Sequence, residues 1–61
     1  MSQIYRNVRT NRLWVVQGWA KPYVGSDGET YLHARPMGAN GKPKGPTRGQ
    51  RVADIKLEQA P

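Results

Sequence analysis

The segment Arg35–Arg51, RPMGANGKPKGPTRGQR, gathers four glycines and three prolines in one stretch. Proline removes a backbone donor and fixes φ, while glycine leaves the backbone free between the fixed points. A regular helix or strand is not expected there, so the ordered elements must come from the residues on either side. The same stretch carries the cations Arg35, Lys42, Lys44, Arg48 and Arg51 and no acid. Connections longer than about 12–15 residues are usually functional or disordered. We therefore expect one small domain over residues 1–61, with 36–50 a flexible basic loop and Arg35 and Arg51 in the flanking strands.

The rest of the chain has little with which to build a core. At 61 residues it is in the range where only about 60% of the unfolded surface is buried. With no cysteine, neither a disulfide nor a thiolate metal site can staple it. Phe is also absent, so Trp14, Trp19, Tyr5, Tyr23 and Tyr31 supply all the aromatic bulk. No stretch approaches the roughly 18 apolar residues of a membrane span, and no apolar signal core stands at the start. These features lead us to expect a cytoplasmic protein with no membrane partner.

Patterning favours a mainly β fold. Leu13–Trp19 is rich in β-branched and aromatic residues and has no helix start signal. Gln3–Val8 alternates, with Ile4, Arg6 and Val8 on one face and Gln3, Tyr5 and Asn7 on the other. Arg9–Arg12 suits a tight hairpin because Asn11 tolerates left-handed backbone, and Gly25-Ser26-Asp27-Gly28 is a stronger turn signal, with both Asp27 and Gly28 suited to positive φ. After that turn, Leu32 and Ala34 alternate with Tyr31, His33 and Arg35. Three strands over roughly 3–8, 12–24 and 29–35 follow. Residues 51–59 alternate well enough for a fourth, although their residue types also suit a helix. The expected architecture is a three- to four-stranded curled antiparallel sheet or a small SH3-like barrel. No internal repeat is visible.

Tests for enzyme chemistry fail. His33 is the single histidine, and its plainest role is that of a half-exposed strand residue. No second histidine or cysteine completes a zinc site, and Asp27 and Glu29 are too few for a metal cage. Asp27-Gly28 reads as turn chemistry. Gly38–Pro43 is not a phosphate loop, because Pro43 follows Lys42 where Ser or Thr and a helix are needed. The chain is expected to be non-enzymatic and to need no cofactor.

Binding chemistry is better represented. Ten Lys and Arg face four Asp and Glu, and no acid occurs before Asp27 or from Thr30 to Ala53. Such a field attracts phosphate backbones. Tyr31, His33 and Arg35 share one strand face at two-residue spacing, where rings stack on bases and a guanidinium meets phosphate. Trp19 and Tyr23 extend that platform, while Trp14 is better suited to the core. Lys42, Lys44, Arg48 and Arg51 add electrostatic reach, and neutralising about five duplex phosphates would give a log–log salt slope of about −4.5. Nothing fixes a groove geometry for base reading, so the DNA or RNA partner is unspecified. A second class is a protein-interaction or inhibitor module docking an acidic partner through an exposed edge strand. A third is a homo-oligomer whose scarce core is completed by subunit contact.

Overall fold

Alternation along Thr30–Pro36 divides the protein into two faces. Leu32 and Ala34 are buried, whereas His33 is exposed and Tyr31 and Arg35 are half-buried. In the computed structural model, which describes residues 2–59, this strand belongs to one antiparallel sheet with six strands. In chain order these are β1 (Ser2–Asn7), β2 (Leu13–Gln17), β3 (Tyr23–Val24), β4 (Thr30–Pro36), β5 (Arg48–Arg51) and β6 (Ile55–Gln59). A short 3-10 turn, Val52–Asp54, joins β5 to β6. The sheet runs β3-β4-β2-β1-β6, with β5 added to β4. Among the described residues it does not close into a barrel, and it has more strands than the three or four expected.

One extra strand comes from an interruption. The expected strand over 12–24 is split, because Val15 pairs with Arg35 but Tyr23 pairs with Tyr31. The chain takes eight steps from Val15 to Tyr23 where β4 takes four from Arg35 to Tyr31. The surplus folds into a turn, closed by the Ala20 N–H donating to the Gln17 carbonyl at 3.0 Å. Trp19 stands on that turn and is 78% exposed.

The glycine-rich segment is also more ordered than its composition suggests. Arg48, Gly49 and Gln50, assigned to the loop by sequence, pair with Ala34, His33 and Leu32 as part of β5. The prolines at 36, 43 and 46 all precede β5, so no ladder donor is lost within it. Before β5, Met37 bridges Pro43, and the Gly38 N–H donates to the Lys42 carbonyl at 2.6 Å. Gly41 takes φ 73° in this turn. The Gly25–Glu29 turn has the same form, with the Gly25 N–H donating to Glu29 at 2.8 Å. There only Gly28, φ 82°, is left-handed, and Asp27 is not. Both are three-residue loops with glycine at the left-handed position. GSDGE and GANGK carry that shared pattern, which the sequence reading passed over.

Asn7 anchors the first hairpin. Its Oδ1 accepts from the Arg9 and Thr10 N–H groups at 2.9 and 3.2 Å, and Asn11 supplies the left-handed residue at φ 63°, as its sequence position suggested. Its Nδ2 donates to Gln50 Oε1 at 3.0 Å, tying this turn to β5. Of residues 51–59, Arg51 ends β5, Val52–Asp54 form the 3-10 turn and Ile55–Gln59 form β6, so the strand reading holds from Ile55 onwards. β6 pairs with β1, which brings the two chain ends of the sheet together.

The core consists of Trp14, Val16, Leu32, Ala34 and Ile55, with Tyr5 and Ala20 packed against it. Trp14, only 6% exposed, is its largest member. Removing such a side chain costs about 3–5 kcal/mol, and a core of this size supplies little more than that in total. Trp14→Ala is therefore expected to be largely unfolded at room temperature by far-ultraviolet circular dichroism. A cooperative urea transition close to that of the wild type would refute this assignment of the core.

Candidate nucleic-acid interface

Residues directly opposite each other in antiparallel strands share a face. Tyr23 is opposite Tyr31, Arg51 is opposite Tyr31 from the other side, and Val15 is opposite Arg35. The outer face of β4 thus collects Tyr31, His33 and Arg35, as the sequence spacing implied, and adds Tyr23 beside them. The Tyr23 ring stacks on Tyr31 at 5.8 Å between centroids and 26° between planes. It stacks more closely on His33, at 4.4 Å and 22°. Gly49 makes room for this stack: a Cβ there would collide with the Tyr23 hydroxyl.

Trp19 joins the same surface through a shallow cavity of about 210 Å³, which it lines with Val15, Gln17, Ala20, His33, Ala34, Arg35 and Thr47. Val15 is 2% exposed, so an apolar floor lies beneath a rim of indole, imidazole and guanidinium. Arg35 Nε donates to the Gly45 carbonyl at 2.9 Å, which fixes the guanidinium and ties the loop to β4. Its remaining N–H groups can still meet an anion.

Of the other proposed contacts, Lys42, Lys44 and Arg48 fall elsewhere, and Arg51 shares the face of Tyr31. Lys42 and Lys44 lie on the Gly38–Lys42 turn and just after it, and both are exposed. Arg48 is opposite Ala34, so it belongs to the core side of the sheet and not to the platform. Arg51 lies against Glu29, with Nε to Oε1 at 4.0 Å, and is less available than its charge suggested. Tyr31 is held by its hydroxyl, which donates to Asp27. That bond, with a second from the Glu29 N–H, holds the Asp27 carboxyl below the ordinary aspartate range. The same partner raises the Tyr31 phenol.

Ion pairing concentrates the net charge. Glu58 pairs with Arg6 at 3.0 Å, Asp54 with Arg9 at 3.6 Å and Glu29 with Arg51. Asp27 is engaged by Tyr31. Every acid is thus used, and Arg12, Lys21, Arg35, Lys42, Lys44, Arg48 and Lys56 have no carboxylate partner among the described residues. Composition shows ten cations against four acids but not which cations stay unpaired. Among the described residues no group of three or more His, Cys, Asp or Glu could hold a metal ion. No helix there is long and apolar enough to cross a membrane. No family model, curated protein or solved structure matches this chain.

Two predictions test this geometry. Gly49→Ala is expected to displace Tyr23 and abolish the ring-current shift of the His33 ring protons in NMR spectra, leaving the Trp14 and Val16 amides in place. Unchanged His33 shifts would mean that the stack does not depend on Gly49. Asp27→Asn should move one tyrosine titration back towards the ordinary phenol value, read by ultraviolet absorbance of tyrosinate. Because the folded Asp27 pKa is depressed, its stabilisation is present above the unfolded aspartate value and lost as pH falls through the folded one. The urea-midpoint gap between wild type and Asp27→Asn should therefore close on acidification. A gap that stays constant down to about pH 2 would contradict this linkage.

Proposed function

We propose that this protein is a non-enzymatic nucleic-acid-binding protein that stacks unpaired bases on the outer face of β4. The observation that carries the reading is Trp19, 78% exposed beside the Tyr23–Tyr31–His33 stack and Arg35. A large exposed aromatic is costly in a chain with so little core, and every base presents a π-face for it to meet. Arg35 supplies a phosphate contact beside the rings, and Lys42 and Lys44 add a salt-dependent contribution from the neighbouring turn. A preformed platform with a separate cationic turn supports stacking before charge as the source of selectivity. A cytoplasmic location and the SH3-like description belong to this proposal. β1 lies beside β6 as a closed arrangement would need, while β5 and β6 are unpaired with each other among the described residues.

A second reading rests on β6. Its outer edge has no strand partner among the described residues, and Leu57 is 52% exposed there. Such an edge can extend the sheet of an acidic partner protein or of a second copy of this chain. Sedimentation at rising concentration distinguishes the self-associating form.

Titration with labelled single-stranded DNA, single-stranded RNA and duplex DNA at two salt concentrations tests the first reading. Single strands are expected to bind more tightly than duplex. Trp19→Ala should cost about 1–3 kcal/mol of affinity, as loss of one base-stacking side chain does. Lys42→Ala with Lys44→Ala should reduce the salt slope by about 1–2 while leaving the fold intact. Absence of binding to all three nucleic acids near physiological salt would sink the proposal.

A further inference from the structure

Another cleft lies on the core side of the sheet, away from the platform. Trp14 lines it, whereas its neighbour Val15 lines the cavity beside Trp19, and successive strand residues point to opposite faces. Arg48 and Gln50, opposite Ala34 and Leu32, belong to the same side as Trp14. The cleft has a volume of about 420 Å³, within the roughly 300–1,000 Å³ of small-molecule sites.

We infer that this cleft binds a phosphate monoester, carried by a mononucleotide or by the 5′ end of a strand. Arg12 and Arg48 both line it, neither has a carboxylate partner among the described residues, and no acid is among the lining residues. Two unpaired guanidinium groups match a monoester, which carries about −1.5 to −2 charge near neutral pH. A diester within a strand carries only one negative charge. Guanidinium is also the group whose paired N–H donors fit phosphate oxygens.

The rest of the lining supports the same ligand. Gln50 Oε1 accepts from the Asn7 amide at 3.0 Å and its Nε2 donates to the Gly49 carbonyl at 3.2 Å, which leaves one amide N–H for a ligand oxygen. The Asn7 bond ties the Asn7–Arg12 turn to β5, so the walls carrying the two arginines are joined before any ligand arrives. Trp14, Pro36 and Pro46 form an apolar wall against which a flat ring can pack. The Trp14 indole Nε1–H is buried without a hydrogen-bond acceptor among the described residues. An unmet buried donor is expensive, and an acceptor-rich ligand reaching this wall would relieve it. The inference does not depend on the platform, since a free mononucleotide meets every requirement.

Trp19→Phe leaves Trp14 as the only indole and so provides a fluorescence reporter inside the cleft. In that background the probes are inorganic phosphate, a nucleoside monophosphate, its parent nucleoside, and short single strands ending in 5′-phosphate or 5′-hydroxyl. The monophosphate is expected to change Trp14 emission saturably and the nucleoside to leave it unchanged. Arg12→Gln with Arg48→Gln should weaken monophosphate binding by about tenfold or more. The charge-matched pair Lys21→Gln with Lys56→Gln should change it by less than about twofold. If the double arginine variant loses its β-type circular dichroism, Arg48→Gln alone carries the comparison and should act in the same direction. Tighter binding of the 5′-phosphorylated strand, with competition by the monophosphate, assigns the ligand to a strand end. A response to the free nucleotide alone assigns it to the mononucleotide. Equal responses to nucleotide and nucleoside, or equal weakening by the arginine and lysine pairs, would overturn the inference. Strand binding that depends on Trp19 but not on the end group or the arginines would overturn it while leaving the platform reading intact.

Discussion

Leu32 and Ala34 point inward from β4 while Tyr31, His33 and Arg35 point outward, and both halves of the protein are arranged around that alternation. The inward pair meets Trp14, Val16 and Ile55 to make a core without Phe or Cys. The outward row receives Tyr23 from β3 and leaves Trp19 beside it on the turn before that strand. Because strand side chains alternate strictly, a slip of one residue in β4 would bury Tyr31, His33 and Arg35 and expose the core. Pairing on both edges of β4, by β3 and β2 and by β5, guards its register.

The parts legible in the sequence are those set by local pattern. Period-two alternation placed Leu32 and Ala34 opposite Tyr31, His33 and Arg35, and Asn11 and Gly28 marked turns by their tolerance of positive φ. Trp14 stood in an apolar run and is buried as expected. What stayed hidden depends on pairing between distant segments. Nothing local distinguishes a continuous strand over 12–24 from two strands whose partner residues on β4 are offset by a folded-out turn. Likewise Arg48–Arg51 has poor strand propensity, and it becomes β5 because β4 offers an open edge. Gly49 then has a positive use, since the Tyr23 hydroxyl occupies the space of its missing side chain.

Charge followed the same division. The excess of cations was plain from composition, but its placement depended on which acids the fold brings to which arginines. Glu58, Asp54 and Glu29 engage Arg6, Arg9 and Arg51. These exposed pairs contribute little stability each. Their larger effect is to leave Arg35 on the platform, Lys42 and Lys44 at the glycine turn and Arg12 and Arg48 in the cleft among the cations without a carboxylate partner in the described residues. The long basic segment is consequently three structures with separate surroundings: a glycine turn carrying Lys42, a tether from Gly45 to Arg35, and a strand carrying Arg48.

The central claim is that the outer face of β4 meets unpaired bases. Mapping amide and side-chain NMR shifts during titration with a short single-stranded oligonucleotide tests it most directly. The account predicts the largest changes at the Trp19 indole, the Tyr23 and His33 rings and the Arg35 guanidinium, with smaller changes at Lys42 and Lys44. Changes confined to the β6 edge at Lys56, Leu57 and Glu58, with the Trp19 indole unmoved at saturation, would contradict it.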